Sequence, residues 1–223
     1  MINSGLYRFA KKFLAQIISP PFCFFCKNGM DIRQPLCGTC LAHIIPIVSH
    51  KMRVTKKYAV TVFAISDYKD PIRSLILSKG SSDIVACRAL GQLIWDHTYI
   101  KNIPFDFLVP IPLHRRRFAT RGFNQAQEIA DVIGKKAGKP IINILHRNKK
   151  TVRQSELSVE KRFNNVKDAF CLQDKQLERY KGKHILLVDD LMTTGSTIKA
   201  AASKLVQLNP KTITAAVACR VVR

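Results

Sequence analysis

The sequence predicts an α/β protein, a parallel sheet flanked by helices, preceded by a small four-cysteine module. Three features carry that expectation. His184–Val188 is a continuous apolar run, as expected of a strand buried on both faces of a parallel sheet. From residue 105 onward, short apolar segments alternate with amphipathic ones, the order that builds doubly wound domains. Two Cys-x-x-Cys pairs, Cys23/Cys26 and Cys37/Cys40, stand close together ahead of all this.

In chain order, Leu6 to Ile18 places apolar residues at 6, 9, 10, 13, 14, 17 and 18, with Arg8, Lys11 and Lys12 opposite. This is a basic amphipathic helix, suited to packing on its own protein or to peripheral contact with an anionic membrane or a partner. It lacks the small-residue cleavage site of a secretory signal. Cys23, Cys26, Cys37 and Cys40 are the donor set of a closed tetrahedral Zn2+ site, structural rather than catalytic, with a disulfide pair as the alternative. Gly29 and Gly38 suit the tight turns of such knuckles, and Phe22, Phe24 and Phe25 would pack them or meet a partner. Residues 41–57, with Pro46 and the run His50, Lys51, Arg53, Lys56 and Lys57, read as the exit from the module.

Tyr58–Ser66 is β-branched and aromatic and predicts a strand. Pro71 opens a helix carrying Ile72, Leu75 and Ile76, and another runs from about Asp83 to Trp95. Phe105–Pro110 is a strand, Phe123–Lys136 a helix with Ala126, Ile129, Ala130 and Ile133 on one face, and Pro140–Leu145 a further strand. Ser196–Leu208 and Thr212–Cys219 supply the last helix and strand. The expected division is 1–57, basic helix plus zinc module, and 58–223, the α/β domain. No apolar run approaches the roughly 20 residues of a bilayer-spanning helix.

With 47% hydrophobic residues the chain can bury a core, which excludes a disordered protein. Its 37 Lys+Arg against 15 Asp+Glu leave a net charge of +22. The excess is +8 over residues 1–60, +1 over 61–104 and +13 over 105–223, with +10 inside 113–167 alone. Such charge says little about fold but points to polyanionic partners, nucleic acid or another phosphate-bearing surface.

The segment from His184 to Ile198 carries the clearest chemistry. The apolar strand ends in Asp189 and Asp190, then turns through Thr193, Thr194, Gly195, Ser196 and Thr197 into a helix. Ligands of open α/β sheets bind beyond the carboxyl ends of strands, where this loop would sit. Its hydroxyls, backbone N–H groups and helix N-terminus form an anion site for a phosphate. The paired carboxylates can accept hydrogen bonds from a vicinal diol such as the ribose 2- and 3-hydroxyls. A ribose 5-phosphate is the expected ligand, and there is no GKS/GKT of a Walker loop.

This order resembles the phosphoribosyl pyrophosphate (PRPP) motif of type I phosphoribosyltransferases. Val109-Pro-Ile-Pro-Leu113 stands where that family carries its pyrophosphate loop, here Ile111, Pro112 and Leu113. Within that family the VPIP…RxxxRGFNQA stretch at 109–126, the spacing Arg147…Gln154…Leu157…Arg162…Asn165…Phe170, and the N-terminal four-cysteine module resemble the ComF/GntX branch, competence protein F. The resemblance spans essentially the whole chain. It implies a type I phosphoribosyltransferase-like core with a hood, here residues 58–104, and Mg2+ accompanying PRPP. It also implies a cytoplasmic competence protein of natural transformation that handles single-stranded DNA beside a helicase-like ATPase and recombination mediators. Some relatives carry an amidophosphoribosyltransferase label, so active transfer to a small nitrogenous acceptor is the alternative, and an adaptor with a vestigial site a third.

Prolines 110 and 112 remove two N–H donors from the pyrophosphate loop, leaving those of Ile111 and Leu113, with Arg115–Arg117 to neutralise charge. Arg115, Arg116, Arg117, Arg121, Arg147, Lys149, Lys150 and Arg153 admit three readings: a solvated surface, a flap over a phosphate ligand, or a DNA groove with Phe118 and Phe123 stacking on bases.

Overall fold

The computed structural model describes residues 21–45, 47–78, 83–147, 169–174 and 176–221, with 48 and 115–117 as backbone only. The predicted helix at 6–18 and Lys149, Lys150 and Arg153 lie outside the described residues, as do the side chains of Arg115, Arg116 and Arg117.

The main sheet contains β1 (Ile47–Arg53), β2 (Ala59–Asp67), β3 (Phe107–Pro110), β6 (His184–Val188), β7 (Leu191–Met192) and β8 (Thr212–Arg220). Its order is β1-β2-β8-β6-β3, with β7 pairing the end of β8. Only β1 runs antiparallel, to β2; the pairs β2–β8, β8–β6, β6–β3 and β7–β8 are parallel. A separate antiparallel pair joins β4 (Leu145–Arg147) to β5 (Phe170–Leu172). The helices are α1 (Gly38–Ala42), α2 (Ile72–Ser78), α3 (Ile84–His97), α4 (Arg115–Arg121), α5 (Gln125–Ala137) and α6 (Ser196–Leu205). Among the described residues no helix is long and apolar enough to cross a membrane.

Strand alternation sends successive side chains to opposite faces and so builds two cores. Leu108, Leu186, Val188, Ala216 and Ala218 join a cluster with Leu75 of α2, Leu90 and Ile94 of α3, Ile129 and Ile133 of α5, and also Cys23, Leu36 and Cys40. Phe107, Val109, Ile185, Leu187, Ala215 and Val217 pack on the other face with Ile198, Ala201 and Leu205 of α6. The four-cysteine segment therefore shares the core of the α2–α3–α5 face. Helices α3 and α5 come close at Gly91, where an added Cβ would stand 2.9 Å from the Ile129 carbonyl oxygen. Two ion pairs, Arg88–Glu128 at 2.9 Å and Lys136–Asp96 at 3.2 Å, flank that contact.

Several sequence expectations shift. Residues 47–53, read as part of the exit from the zinc module, form the antiparallel edge strand β1, because β2 offers an edge on which they pair, with a register shift between Ile47 and His50. The strand expected at Pro140–Leu145 reduces to one parallel bridge, Leu108 to Ile141, followed by β4. The last helix tightens to a 3-10 turn at Val206–Leu208 before Asn209, which turns the chain with φ 47°.

At the start of β3 the Asp106 carboxylate accepts the His184 N–H at 2.7 Å, while the Asp106 N–H donates to the His184 carbonyl at 2.8 Å. The His184 N–H holds Asp106 below the ordinary carboxylate value of 3.8, with Lys183, His184 and Lys139 adding positive charge nearby.

Candidate functional site: the carboxyl edge of the sheet

β3 and β6 are adjacent and parallel, with Pro110 beside Val188, so the loops that follow them emerge together at one edge. After β6, the Asp190 N–H donates to Asp189 Oδ1 at 2.8 Å and the Asp190 carbonyl accepts the Ala218 N–H at 3.1 Å. Both carboxylates are half-buried. β7 carries the chain alongside Cys219 and Arg220, and the loop turns at Gly195, which has φ 74° and ψ 1° and caps the ten-residue α6. A side chain is strained in that left-handed region. A Cβ on Gly195 would also stand 3.0 Å from Met52 Sδ, so β1 closes over the loop from the side. Thr194 Oγ1 donates to Ser196 Oγ at 3.0 Å and accepts the Ser196 N–H at 3.4 Å. The Lys199 N–H reaches the Gly195 carbonyl at 2.8 Å and starts the helix. Thr193–Thr197 thus wraps the amino end of α6, where backbone N–H groups and the helix dipole favour an anion.

On the β3 side, the Ile111 N–H donates to the Val188 carbonyl at 2.9 Å and is buried. It is therefore engaged in the sheet, which corrects the expectation that it serves as a pyrophosphate donor. Asn124 Nδ2 donates to the Ile111 carbonyl at 3.1 Å and Asn124 Oδ1 accepts the Ala126 N–H at 3.3 Å, so one side chain caps α5 and ties it to the loop. Pro112 and Leu113 follow Ile111 at this edge and lead into α4. Arg121 is half-buried there, and Phe118 is exposed. Phe123 is not available for base stacking, because it is 8% exposed and packs in the α2–α3–α5 core. Arg147 lies on β4, its guanidinium 5.4 Å from the Phe170 ring centroid, within the hairpin rather than in the loop pair.

Three further residues at this edge had no clear sequence signal. Asp67 and Arg220 are register partners at the carboxyl ends of β2 and β8. Asp67 Oδ1, Arg220 Nε and Gln125 Nε2 are buried without a hydrogen-bond partner among the described residues. Gln125 is the first residue of α5 and 2% exposed. Buried polar atoms are almost always satisfied, so a ligand or water is a fitting partner for these three, as for Arg147 Nε in the β4–β5 pair.

The cysteine cluster is a second built feature. All four Sγ atoms lie within 4.8 Å of one another, and Cys26 and Cys37 Sγ are 3.7 Å apart. A tetrahedral Zn2+ with Zn–S bonds of about 2.3 Å has S···S edges of about 3.8 Å, so the donor set fits that ion, and four thiolates leave no open position. Burial opposes ionisation of Cys23, but the backbone N–H groups of Cys37, Cys26 and Phe25 outweigh it and bring Cys23 down to about 6. Burial and the neighbouring sulfurs push Cys40 up to about 12. A divalent cation would relieve that mutual repulsion. The left-handed turn of the first knuckle falls at Lys27, with φ 64°, rather than at the glycines the sequence suggested. Phe24 packs against the core, while Phe22 and Phe25 are exposed.

A mixed, mainly parallel sheet with paired acids and a hydroxyl-rich loop at its carboxyl edge defines a phosphoribosyltransferase-type domain, and the phosphoribosyl transferase domain model matches residues 118–222. The chain is 31% identical over 214 residues to the DNA utilization protein YhgH of Salmonella typhimurium, covering 89% of each. It is 29% identical over 206 residues to competence protein F of Haemophilus influenzae, covering 89% of this chain and 84% of that one. With ComFC of Bacillus subtilis, a competence protein, it shares 32% identity over 100 residues, 45% of this chain and 38% of the other. The chain belongs to this ComF family of type I phosphoribosyltransferase-like proteins.

Proposed function

We propose that the protein handles incoming single-stranded DNA during natural transformation, in the cytoplasm, and that its carboxyl-edge loops bind a ribose 5-phosphate group of PRPP or of a nucleotide end. The names of its relatives, competence protein F and DNA utilization protein, support the cellular role. The observation that carries the site is Asp189–Asp190 at the end of β6, joined through β7 and Thr193–Thr194 to a left-handed glycine and the amino end of α6, beside the 110–113 loop. Asp189 and Asp190 accept the ribose hydroxyls, and Thr193, Thr194, Ser196 and Thr197 hold the phosphate with the helix N-terminus, Mg2+ accompanying a pyrophosphate. Cys23, Cys26, Cys37 and Cys40 hold Zn2+ as a structural tie. A competence helicase and recombination mediators are the protein partners. Phosphoribosyl transfer to a small acceptor is the weaker reading, because Pro110 and Pro112 lack N–H groups and that of Ile111 is engaged.

Titration calorimetry with PRPP and Mg2+ tests the site. The Asp189→Asn/Asp190→Asn variant should lose binding by about a hundredfold, about 2.7 kcal/mol. Unchanged binding would remove the ribose assignment, and pyrophosphate release with an amine acceptor would restore the transferase reading.

A further inference from the structure

Four lysines scattered through the chain line up at the opposite, amino edge of the sheet. The registers place Val60 of β2, Ile213 of β8 and Ile185 of β6 side by side. Lys57, Lys211 and Lys183 stand three, two and two residues before those partners, each exposed, so β2, β8 and β6 each enter the sheet behind a cation. Beyond β3, Ile141 bridges Leu108 in parallel, and exposed Lys139 precedes it by two residues. Neighbouring strands lie about 4.8 Å apart, which sets the step of the row. The Lys211 N–H donates to the Lys183 carbonyl at 2.8 Å and the Gly182 N–H to the Asn209 carbonyl at 3.0 Å, fixing the entry loops together. The acid in the row is Asp106, whose carboxylate already accepts the His184 N–H.

The edge is also concave. Two cavities of about 410 and 420 Å3 open along it and share Asn209. The first is lined by Lys57, Tyr58 and Lys211, and Lys57 Nζ stands 5.5 Å from the centroid of the half-buried Tyr58 ring. The second is lined by Lys181 and Lys204, with exposed Glu178 at 3.9 Å from Lys181. Among the described residues, none of the large exposed apolar side chains, such as Phe22, Ile45, Val85 and Phe118, lines either cavity. A bilayer surface would need such side chains to insert; a row of lysines beside a π face and clefts suits a phosphate backbone with splayed bases.

We propose that this amino edge is a second binding surface, taking the sugar–phosphate backbone of a single-stranded nucleic acid along the row Lys139, Lys183, Lys211 and Lys57. It rests on the DNA-handling reading above and adds where the strand lies, on the side of the sheet away from the ribose-phosphate loops.

The test compares the full chain with Lys57→Gln/Lys183→Gln/Lys211→Gln and with Arg121→Gln, each titrated with fluorescent oligothymidylate across a salt series. The triple variant should lose about tenfold or more in affinity, and its log–log salt slope should fall by about 2, from about 0.7 per released phosphate contact. Its PRPP titration and thermal midpoint should stay at parent values. A parent-like slope in the triple variant overturns the assignment and leaves the DNA-handling reading standing. So does a loss confined to Arg121→Gln, which would put the strand at the carboxyl edge, or capture of anionic vesicles or an acidic peptide in place of the oligonucleotide. Absence of oligonucleotide binding by the parent chain overturns both. Should the triple variant fail to fold, Lys211→Gln alone should lower the slope by about 0.7, and an unaltered slope counts against the row.

Discussion

At the carboxyl ends of β3 and β6 the chain offers hydroxyls, paired carboxylates and a helix N-terminus; at the amino ends of β6, β8 and β2 it offers lysines. The carboxyl edge is assembled mainly from contiguous segments, with Gly195 and Asn124 setting backbone geometry, and it carries three buried polar atoms without a hydrogen-bond partner among the described residues. The amino edge is assembled from loops far apart in sequence, held by backbone bonds between Lys211 and Lys183 and between Gly182 and Asn209. The difference teaches that specificity and charge are separated here. In the reading proposed above, the shaped site is for one sugar phosphate, while the repetitive cationic row suits a polyanion.

Loss of the proposed zinc site should have the largest effect, because the four-cysteine segment shares the core of the α2–α3–α5 face. Cys40→Ser, or chelation of the full chain, should release Zn2+ and lower the thermal midpoint by 5 °C or more, on the order expected when a structural zinc site is lost. If metal analysis finds no zinc in reductant-purified protein, the four-thiolate assignment goes. Gly195→Val should separate the edges: PRPP binding lost beyond about a hundredfold, stability lowered by about 1–2 kcal/mol for a left-handed β-branched residue, and oligonucleotide binding retained. Parallel loss of both ligands in that variant would break the proposed separation.

Asp106→Ala should cost about 1 kcal/mol by leaving the His184 N–H unpaired. Because the folded carboxyl is lowered from its ordinary 3.8, its contribution is present above that value and fades as pH falls through the lower folded one. Acid melts of the variant and the parent should therefore converge only at pH below the ordinary 3.8. The smallest stability change is expected for Gln125→Leu, an apolar replacement of a buried unsatisfied amide, which should leave the midpoint within about 0.5 kcal/mol or raise it. Its PRPP affinity should nevertheless fall several-fold in calorimetry if Gln125 Nε2 is completed by ligand, and unchanged affinity would confine that atom to packing or water.

Much of the carboxyl edge was legible in the residues themselves, since an apolar run, two acids and a Thr-Thr-Gly-Ser-Thr turn are neighbours in the chain and local geometry dictates what they form. The cysteine cluster was legible for the same reason, although its left-handed turn fell at Lys27 instead of a glycine. Local patterning was less informative where pairing decided: residues 47–53 became a strand only because β2 offered an antiparallel edge. Phe123, read as a surface aromatic, was drawn into the core by the docking of α5.

From the sequence alone came the α/β class, the two cysteine pairs and the acid–hydroxyl loop, all encoded within short windows where periodicity and turn chemistry act. Tertiary structure decided what depends on register between distant strands: that the Ile111 amide is engaged by Val188, that Asp67 meets Arg220, and that lysines 57, 139, 183 and 211 share one edge. The physical reason is that strand pairing is long-range, so residues more than a hundred positions apart become neighbours only once the sheet has formed.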